Sequence, residues 1–316
     1  MGEDPKNKLT VIENNASVDC DTAVALGVFD GVHLGHRAVI GAAREYAVKS
    51  SACENVIAPA VCTFKTATIN TKGADFLPIF GEEKKLGLLV GEGVKFVYNP
   101  DFALVRDMSA EEFVRDILKK KLRARAAVCG RDFRLGKNAA CGVTELEEIC
   151  KGFGITLIAA EDVRLEGEKI SSARLRRLIL QGDITAANRL LGVNYSVDGE
   201  IVTGNKFGRQ LNFPTANQVI EPGTVCPKFG VYVSRAMIDG REIKGITNIG
   251  VKPTVGYEGT PLAETHFLGF SGDLYGRKLS VELLSFLRPE QRFTGADELK
   301  NRICRDIEEA EKFREI

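Results

Sequence analysis

The sequence predicts two unlike domains: an α/β half with a parallel sheet covered on both faces, then an antiparallel β-barrel or sandwich ending in a helix. Three observations carry this reading. β-type runs and helical stretches alternate through the first half. Short β-type runs separated by turn signals follow from about Tyr195. From Thr294 onward, apolar residues recur at helical spacing. A length of 316 residues also favours two domains. The change of rhythm falls in residues 182–194, which predicts domains 1–186 and 187–316.

Taken in order, residues 22–30, TAVALGVFD, read as a strand buried on both faces, because the apolar run shows no polar alternation. Residues 36–50, HRAVIGAAREYAVKS, read as a helix and residues 56–64, VIAPAVCTF, as a second strand. A helix over 82–93, EEKKLGLLVGEG, leads into a strand over 94–99, VKFVYN. In 109–122, SAEEFVRDILKKKL, Ser109 stands at an N-cap and Glu112 at the third helical position, a capping-box pattern. A strand over 124–130, ARAAVCG, follows. In the second half the runs 195–204, 230–250 and 264–287 read as strands, with Asp239-Gly240 at a hairpin turn. The tail is a helix whose Leu299, Ile303, Ile307 and Ala310 form one stripe for packing on the barrel.

Composition excludes some partners. Lys plus Arg and Asp plus Glu both number 43, so there is no global basic field of the kind that nucleic acid needs. No apolar run approaches the roughly 20 residues that span a bilayer. The opening MGEDPKNKLTVIE lacks the apolar core of a secretory signal, and Lys6 breaks the myristoylation pattern. A cytoplasmic protein, free of membrane and nucleic acid, is expected. The eight cysteines form no C-x-x-C pair, which predicts scattered, reduced and mostly buried thiols rather than a zinc site.

Two segments carry chemistry. GVFDGVHLGH, residues 27–36, places Gly27, Gly31 and Gly35 between a strand and a helix, with His33 and His36 at the helix start. Free amides at a helix N-terminus favour anions, and imidazoles there can donate to charge that builds on phosphorus. The plainer alternative is a tight turn with packed histidines. Two later segments can complete the site: GRDFRLGKN (130–138), with Arg131, Asp132, Arg134 and Lys137, and ISSARLR (170–176), with Ser171, Ser172, Arg174 and Arg176. The second segment is GNKFGRQLNFPTAN, residues 204–217, where Gly204 and Gly208 frame a loop bearing Lys206 and Arg209. It is not a Walker loop. Thr215 and Asn217, two apart, share one face if extended, and two neutral oxygens suit Mg2+ held mainly by nucleotide phosphates. Glu264 can take a proton from an attacking hydroxyl if it lies within reach, or it is an exposed strand glutamate.

A strand running into GVFDGVHLGH, then G-x-D-F-x-x-G, then ISS-x-x-x-R resembles, over about residues 20–180, the FMN adenylyltransferase half of the bacterial bifunctional riboflavin kinase/FAD synthetase family. That half is similar to the wider H-x-G-H nucleotidyltransferases, which implies a Rossmann-like α/β fold. The resemblance implies direct attack of the FMN phosphate on the α-phosphorus of ATP, leaving FAD and pyrophosphate. It implies catalytic roles for His33, His36 and Arg176, and nucleotide or phosphate contacts from Gly27, Phe29, Asp30, Gly31, Gly35, Asp132, Ser171 and Ser172. Two departures stand out: Lys65-Thr66-Ala67-Thr68 where the family has Asp-Pro-His-Pro, and Ala173 where it has Thr. They leave a second reading open, a monofunctional riboflavin kinase whose first domain is a degenerate nucleotide- or flavin-binding module.

The combination of G-x-x-x-G-R-x-L-x-F-P-T-A-N, N-I-G-x-x-P-T (248–254), E-T-H, D-L-Y-G-x-x-L (273–279) and FLRPEQRF (286–293) resembles the riboflavin kinase domain over nearly all of residues 195–316. This implies a six-stranded antiparallel barrel with a terminal helix, in which the riboflavin 5′-hydroxyl attacks the γ-phosphorus of ATP. Glu264 is then the base, Thr215 and Asn217 hold Mg2+, and Gly204, Lys206, Gly208 and Arg209 contact the nucleotide. Asn248, Arg288 and Phe293 contact the flavin. ATP is the implied co-substrate, riboflavin and FMN the other substrates, FMN and FAD the products, and a monomer or weak homo-oligomer the expected state.

Overall fold

The apolar run beginning at residue 22 forms the central strand of a parallel sheet. The computed structural model describes residues 9–51, 56–68, 77–204, 213–251 and 259–315, and its contacts divide the chain into two units, Met1–Ser172 and Ala173–Ile316. The first unit contains β1 (Thr10–Ile12), β2 (Asp21–Leu26), α1 (Leu34–Ser50), β3 (Ile57–Cys62), α2 (Glu82–Gly91), β4 (Phe96–Tyr98) and α3 (Ala110–Glu112). It continues through β5 (Ala124–Gly130), α4 (Val143–Gly152) and β6 (Thr156–Ala160) to a small hairpin of β7 (Arg164–Leu165) and β8 (Glu168–Lys169). The main sheet runs β1-β4-β3-β2-β5-β6, with every neighbouring pair parallel.

Both faces of this sheet are covered, which is why β2 shows no polar alternation. Val24 and Leu26 pack with Phe113, Leu118 and Leu146, whereas Ala23 and Ala25 pack with Ile40, Ala43 and Leu89. From β2 the chain builds outward through β3 and β4, then reverses to add β5 and β6 on the other side. Ligands of open α/β sheets bind at strand C-termini beside such a reversal. The β2 terminus leads into residues 27–36, and the β5 terminus into Arg131 and Asp132.

The capping box forms: Ser109 Oγ accepts from Glu112 N at 3.2 Å, and Glu112 Oε2 accepts from Ser109 N at 2.8 Å. Beyond it the structure departs from the expected α-helix, since Phe113–Lys121 is π-helical. Its inward face carries Phe113, Val114, Ile117 and Leu118, and Lys121 Nζ reaches back to the carbonyl of Ala16 at 2.7 Å. Among the described cysteines all thiols are free, and burial pushes those of Cys62 and Cys150 up to about 12.

The stretch expected to hold the domain boundary is largely helical. After α5 (Ser172–Gln181), α6 (Ile184–Leu191) packs on the last barrel strand, Thr185 Oγ1 and Asn188 Nδ2 donating to the carbonyls of Leu284 and Leu283 at 3.2 and 2.8 Å. The second unit then contains β9 (Ser196–Glu200), β10 (Ala216–Val219), β11 (Gly230–Ile238), β12 (Arg241–Val251), β13 (Pro261–Phe267), β14 (Lys278–Arg288) and α7 (Ala296–Lys312). Its antiparallel sheet runs β10-β13-β12-β11-β14-β9. The choice between barrel and sandwich is settled by its two edges. Val202 N donates to Asn217 O at 2.8 Å, and Gln218 Nε2 donates to Gly199 O and Leu279 O at 3.0 and 2.9 Å, drawing the sheet into a nearly closed barrel. Asp239 and Gly240 both take positive φ, 51° and 76°, as a tight hairpin turn requires.

Helix α7 covers one outer face, setting Ile303, Ile307 and Ala310 against Val231, Val233 and Leu284, while Leu299 is half-buried. A charge lies inside the same stripe. Asp306 is 1% exposed and accepts from Arg288 Nε at 3.0 Å and Nη2 at 2.7 Å, with Arg302 Nη2 at 2.9 Å.

Candidate active sites

Residues 27–36 form a turn that side-chain and backbone anchors hold open at the end of β2. Phe29 and Val32 take φ of 52° and 43°, a region that costs an ordinary residue about 1–2 kcal/mol, and Gly31 takes 82°. A side chain at Gly31 would be strained and would meet Ile79. The anchors are Thr63 Oγ1 on the carbonyl of Val28 at 2.7 Å, Ile79 N on Asp30 Oδ1 at 2.8 Å, and Ser172 Oγ on the carbonyl of Asp30 at 3.0 Å. Ser172 is thus joined to the turn.

His33 is the N-cap of α1, its Nδ1 accepting from His36 N at 3.2 Å. A neutral His33 therefore carries its proton on Nε2, where it can donate to an anion. The two imidazoles stack with centroids 3.6 Å apart, and the Phe29 ring meets His36 edge-on at 5.2 Å. Burial, and then the neighbouring His33, hold the His36 pKa well below 6.5. At neutral pH His36 is accordingly an uncharged hydrogen-bonding group. Gly35 lets α1 start this close, since a Cβ there would meet the His33 ring at 3.2 Å.

The basic residues of 130–138 are occupied differently from expectation. Arg131 pairs with Glu161 just past β6, and Arg134 Nε and Nη2 donate to the carbonyls of Ala139 and Ala140 at 2.7 and 3.0 Å, so Arg134 braces its own loop. Asp132 is exposed, its carboxylate 2.8 Å from Lys169 Nζ, which also contacts Asp162 at 2.7 Å. Arg176 lies on α5 in the second unit and is half-buried. Lys65 to Thr68 end in a short 3₁₀ turn, where Lys65 pairs with Asp101 at 3.3 Å.

The second site is built by strand register. Asn217 stands directly opposite Glu264, Glu264 opposite Asn248, Asn248 opposite Val231, and Val231 opposite Arg288. Opposed residues of an antiparallel pair point to the same side, so one row crosses five strands and brings Asn217, Glu264 and Asn248 together. Thr215 lies two residues before Asn217, whose Nδ2 approaches the Thr215 carbonyl at 3.5 Å. The Gly204 backbone presses on the Asn217 amide, and a Cβ there would fall 2.5 Å from Nδ2. Lys206, Gly208, Arg209, Pro253 and Thr254 lie outside the described residues.

Arg288, named with the flavin contacts by its motif, is engaged within the barrel unit. Its Nε and Nη2 both donate to the Asp306 carboxylate, and Nη1 donates to Pro289 O at 3.2 Å, so the guanidinium fastens α7 to the barrel. Its face lies 5.9 Å from the Phe293 ring, which keeps Phe293 beside the row.

Sequence reasoning missed the buried charges beneath both sites, Asp306 on α7 and Lys85 on α2, the latter paired with a half-buried Glu82. A signal existed in each case: Asp306 is three residues from Ile303, and Lys85 four from Leu89, so both fall on an inward stripe.

The riboflavin kinase family matches residues 191–314, and the FAD synthetase family matches residues 15–174. A bifunctional riboflavin kinase/FMN adenylyltransferase from Pseudomonas fluorescens is 37% identical over 285 residues, 89% of each chain. Its namesakes from Bacillus subtilis (strain 168) and Escherichia coli (strain K12) are 33% and 32% identical, each over 92% of both chains. A solved structure from Streptococcus pneumoniae, described as a macrolide-efflux protein, superposes with a TM-score of 0.84 at 29% identity, covering 97% of this chain and 99% of that one. Among the described residues no helix is long and apolar enough to cross a membrane.

Proposed function

The chain belongs to the bifunctional riboflavin kinase/FMN adenylyltransferase family, and from that premise we propose that its two reactions run at the two sites described above. ATP phosphorylates riboflavin to FMN, and a second ATP adenylylates FMN to FAD with release of pyrophosphate. Matches to both families, and relatives covered over 89% or more of their length, favour this over a monofunctional kinase. The functional domains are 1–186 and 187–316.

At the kinase site Glu264 takes the proton of the riboflavin 5′-hydroxyl as it attacks the γ-phosphorus. The observation that carries this assignment is the row Asn217–Glu264–Asn248, which sets the base between an amide on the nucleotide side and an amide on the flavin side. Thr215 and Asn217 offer neutral oxygen donors on one face, which fits Mg2+ bound mainly through phosphates, where the ion would neutralise the charge of the transferring group. Gly204, Lys206, Gly208 and Arg209 cradle the nucleotide. Phe293 supports the flavin, and Arg288 acts there through α7 rather than by a bond of its own.

At the adenylyl-transfer site the amides of 31–36 receive ATP phosphates, and His33 Nε2 and the neutral His36 donate to charge developing on the α-phosphorus. Ser171, Ser172 and Arg176 hold phosphate oxygens, and Asp132 faces flavin and nucleotide. The enzyme works in the cytoplasm as a monomer or weak oligomer. Incubation with riboflavin, excess ATP and Mg2+, followed by separation of the flavins, tests the whole reading: FMN followed by FAD is expected, and FMN alone would remove the second activity.

A further inference from the structure

Helix α2 carries a lysine where an apolar residue would pack. The Lys85 side chain is 2% exposed and lies one turn from the fully buried Leu89. Its ammonium donates to the carbonyl of Phe64 at 2.6 Å and lies 3.2 Å from Glu82 Oε2. Glu82 accepts from Thr66 N at 2.7 Å and from Asn99 Nδ2 at 2.6 Å. The pair therefore grips the peptide groups on either side of Lys65, at the C-terminal end of β3. Burial lowers the Lys85 pKa, and the carboxylates of Glu82 and Asp30 oppose that shift; the same end of β3 is bonded to the turn of residues 27–36, Thr63 Oγ1 donating to the Val28 carbonyl at 2.7 Å. Asp30 is itself the joint of that turn, its carboxylate bound to Ile79 and its carbonyl to Ser172.

Stability alone gives no reason for a charge at this position, because a buried ion pair is often no better than well-packed apolar residues of the same volume. The charge has a use beside a turn with two non-glycine residues at positive φ, since such backbone persists only where its surroundings hold it. We propose that Lys85 is a positioning residue for adenylyl transfer: it fixes the end of β3, whose Thr63 bonds the Val28 carbonyl of the turn, and so holds the amides of 31–36 in the arrangement that receives ATP. This rests on the assignment of that turn to ATP phosphates.

The full-length enzyme supplies its own control, because riboflavin phosphorylation reports folding of the same chain. In Lys85→Met, turnover of FMN to FAD is expected to fall on the order of 10²-fold, as small misplacements of a reacting group do, while FMN formation persists. The double variant Glu82→Gln/Lys85→Met removes the unpaired charge and is expected to regain the wild-type melting temperature without regaining FAD turnover. Undiminished FAD turnover in Lys85→Met, or its recovery in the double variant, would overturn the proposal. Should Lys85→Met unfold and lose both activities, the double variant alone decides. His36→Ala separates the two layers: if it leaves FAD formation intact the site assignment itself fails, whereas slow FAD formation in His36→Ala beside normal formation in Lys85→Met sinks the Lys85 inference only.

Discussion

The two sites are built by different means. In the second unit Asn217, Glu264 and Asn248 meet because three neighbouring strands pair in one register, so the site follows from the ladder itself. In the first unit the turn of residues 27–36 follows no ladder: it bends through Phe29, Gly31 and Val32 at positive φ and is held by bonds from Thr63, Ile79 and Ser172. A site on a ladder tolerates changes around it as long as strand pairing survives, while one on an anchored turn depends on residues that never touch substrate.

The largest expected effect probes the ladder site. Glu264→Gln keeps the shape of the row and removes the base, so FMN formation should drop by about 10²–10⁴-fold while supplied FMN is still converted to FAD. Equal loss of both activities would break the separation of the sites. Next, Asp306→Ala leaves the buried Arg288 as an uncompensated cation, Arg302 keeping Glu309 at 3.7 Å, and should destabilise the barrel unit by about 3–5 kcal/mol, read as loss of kinase activity on heating before FAD synthesis fails. An unchanged kinase inactivation temperature would mean that α7 is held by its apolar stripe alone. The smallest effect concerns the turn. The folded pKa of His36 lies below its unfolded value of about 6.5, so below that pH the unfolded chain binds a proton that the folded chain refuses. Stability is whole above pH 6.5 and declines as the pH falls toward the folded pKa, by at most about 1.4 kcal/mol per pH unit. Protection factors of the α1 amides, corrected for the intrinsic exchange rate at each pH, should fall over that range in the wild type and less so in His36→Ala.

Much of the fold was legible. The alternation of strands and helices predicted the parallel sheet, and Ser109 with Glu112 predicted a helix start that forms as expected. The second half was legible as antiparallel, and Glu264 as a candidate base, yet its place opposite Asn217 was not, because sequence spacing sets the face of a residue within one strand but not its register with another. The π-helical run, the pairing of Arg131 with Glu161 and the bracing role of Arg134 also escaped the sequence.

By itself, the chain determined which segments are strands, which turns bear glycine and histidine, and which apolar stripes face inward, because these depend on neighbours a few residues apart. Tertiary structure alone decided that Asp306 meets Arg288, that Lys85 reaches Phe64 and Glu82, and that Gln218 ties the barrel shut. Partners of a buried polar group usually come from distant parts of the chain, and only the folded chain brings them within bonding distance.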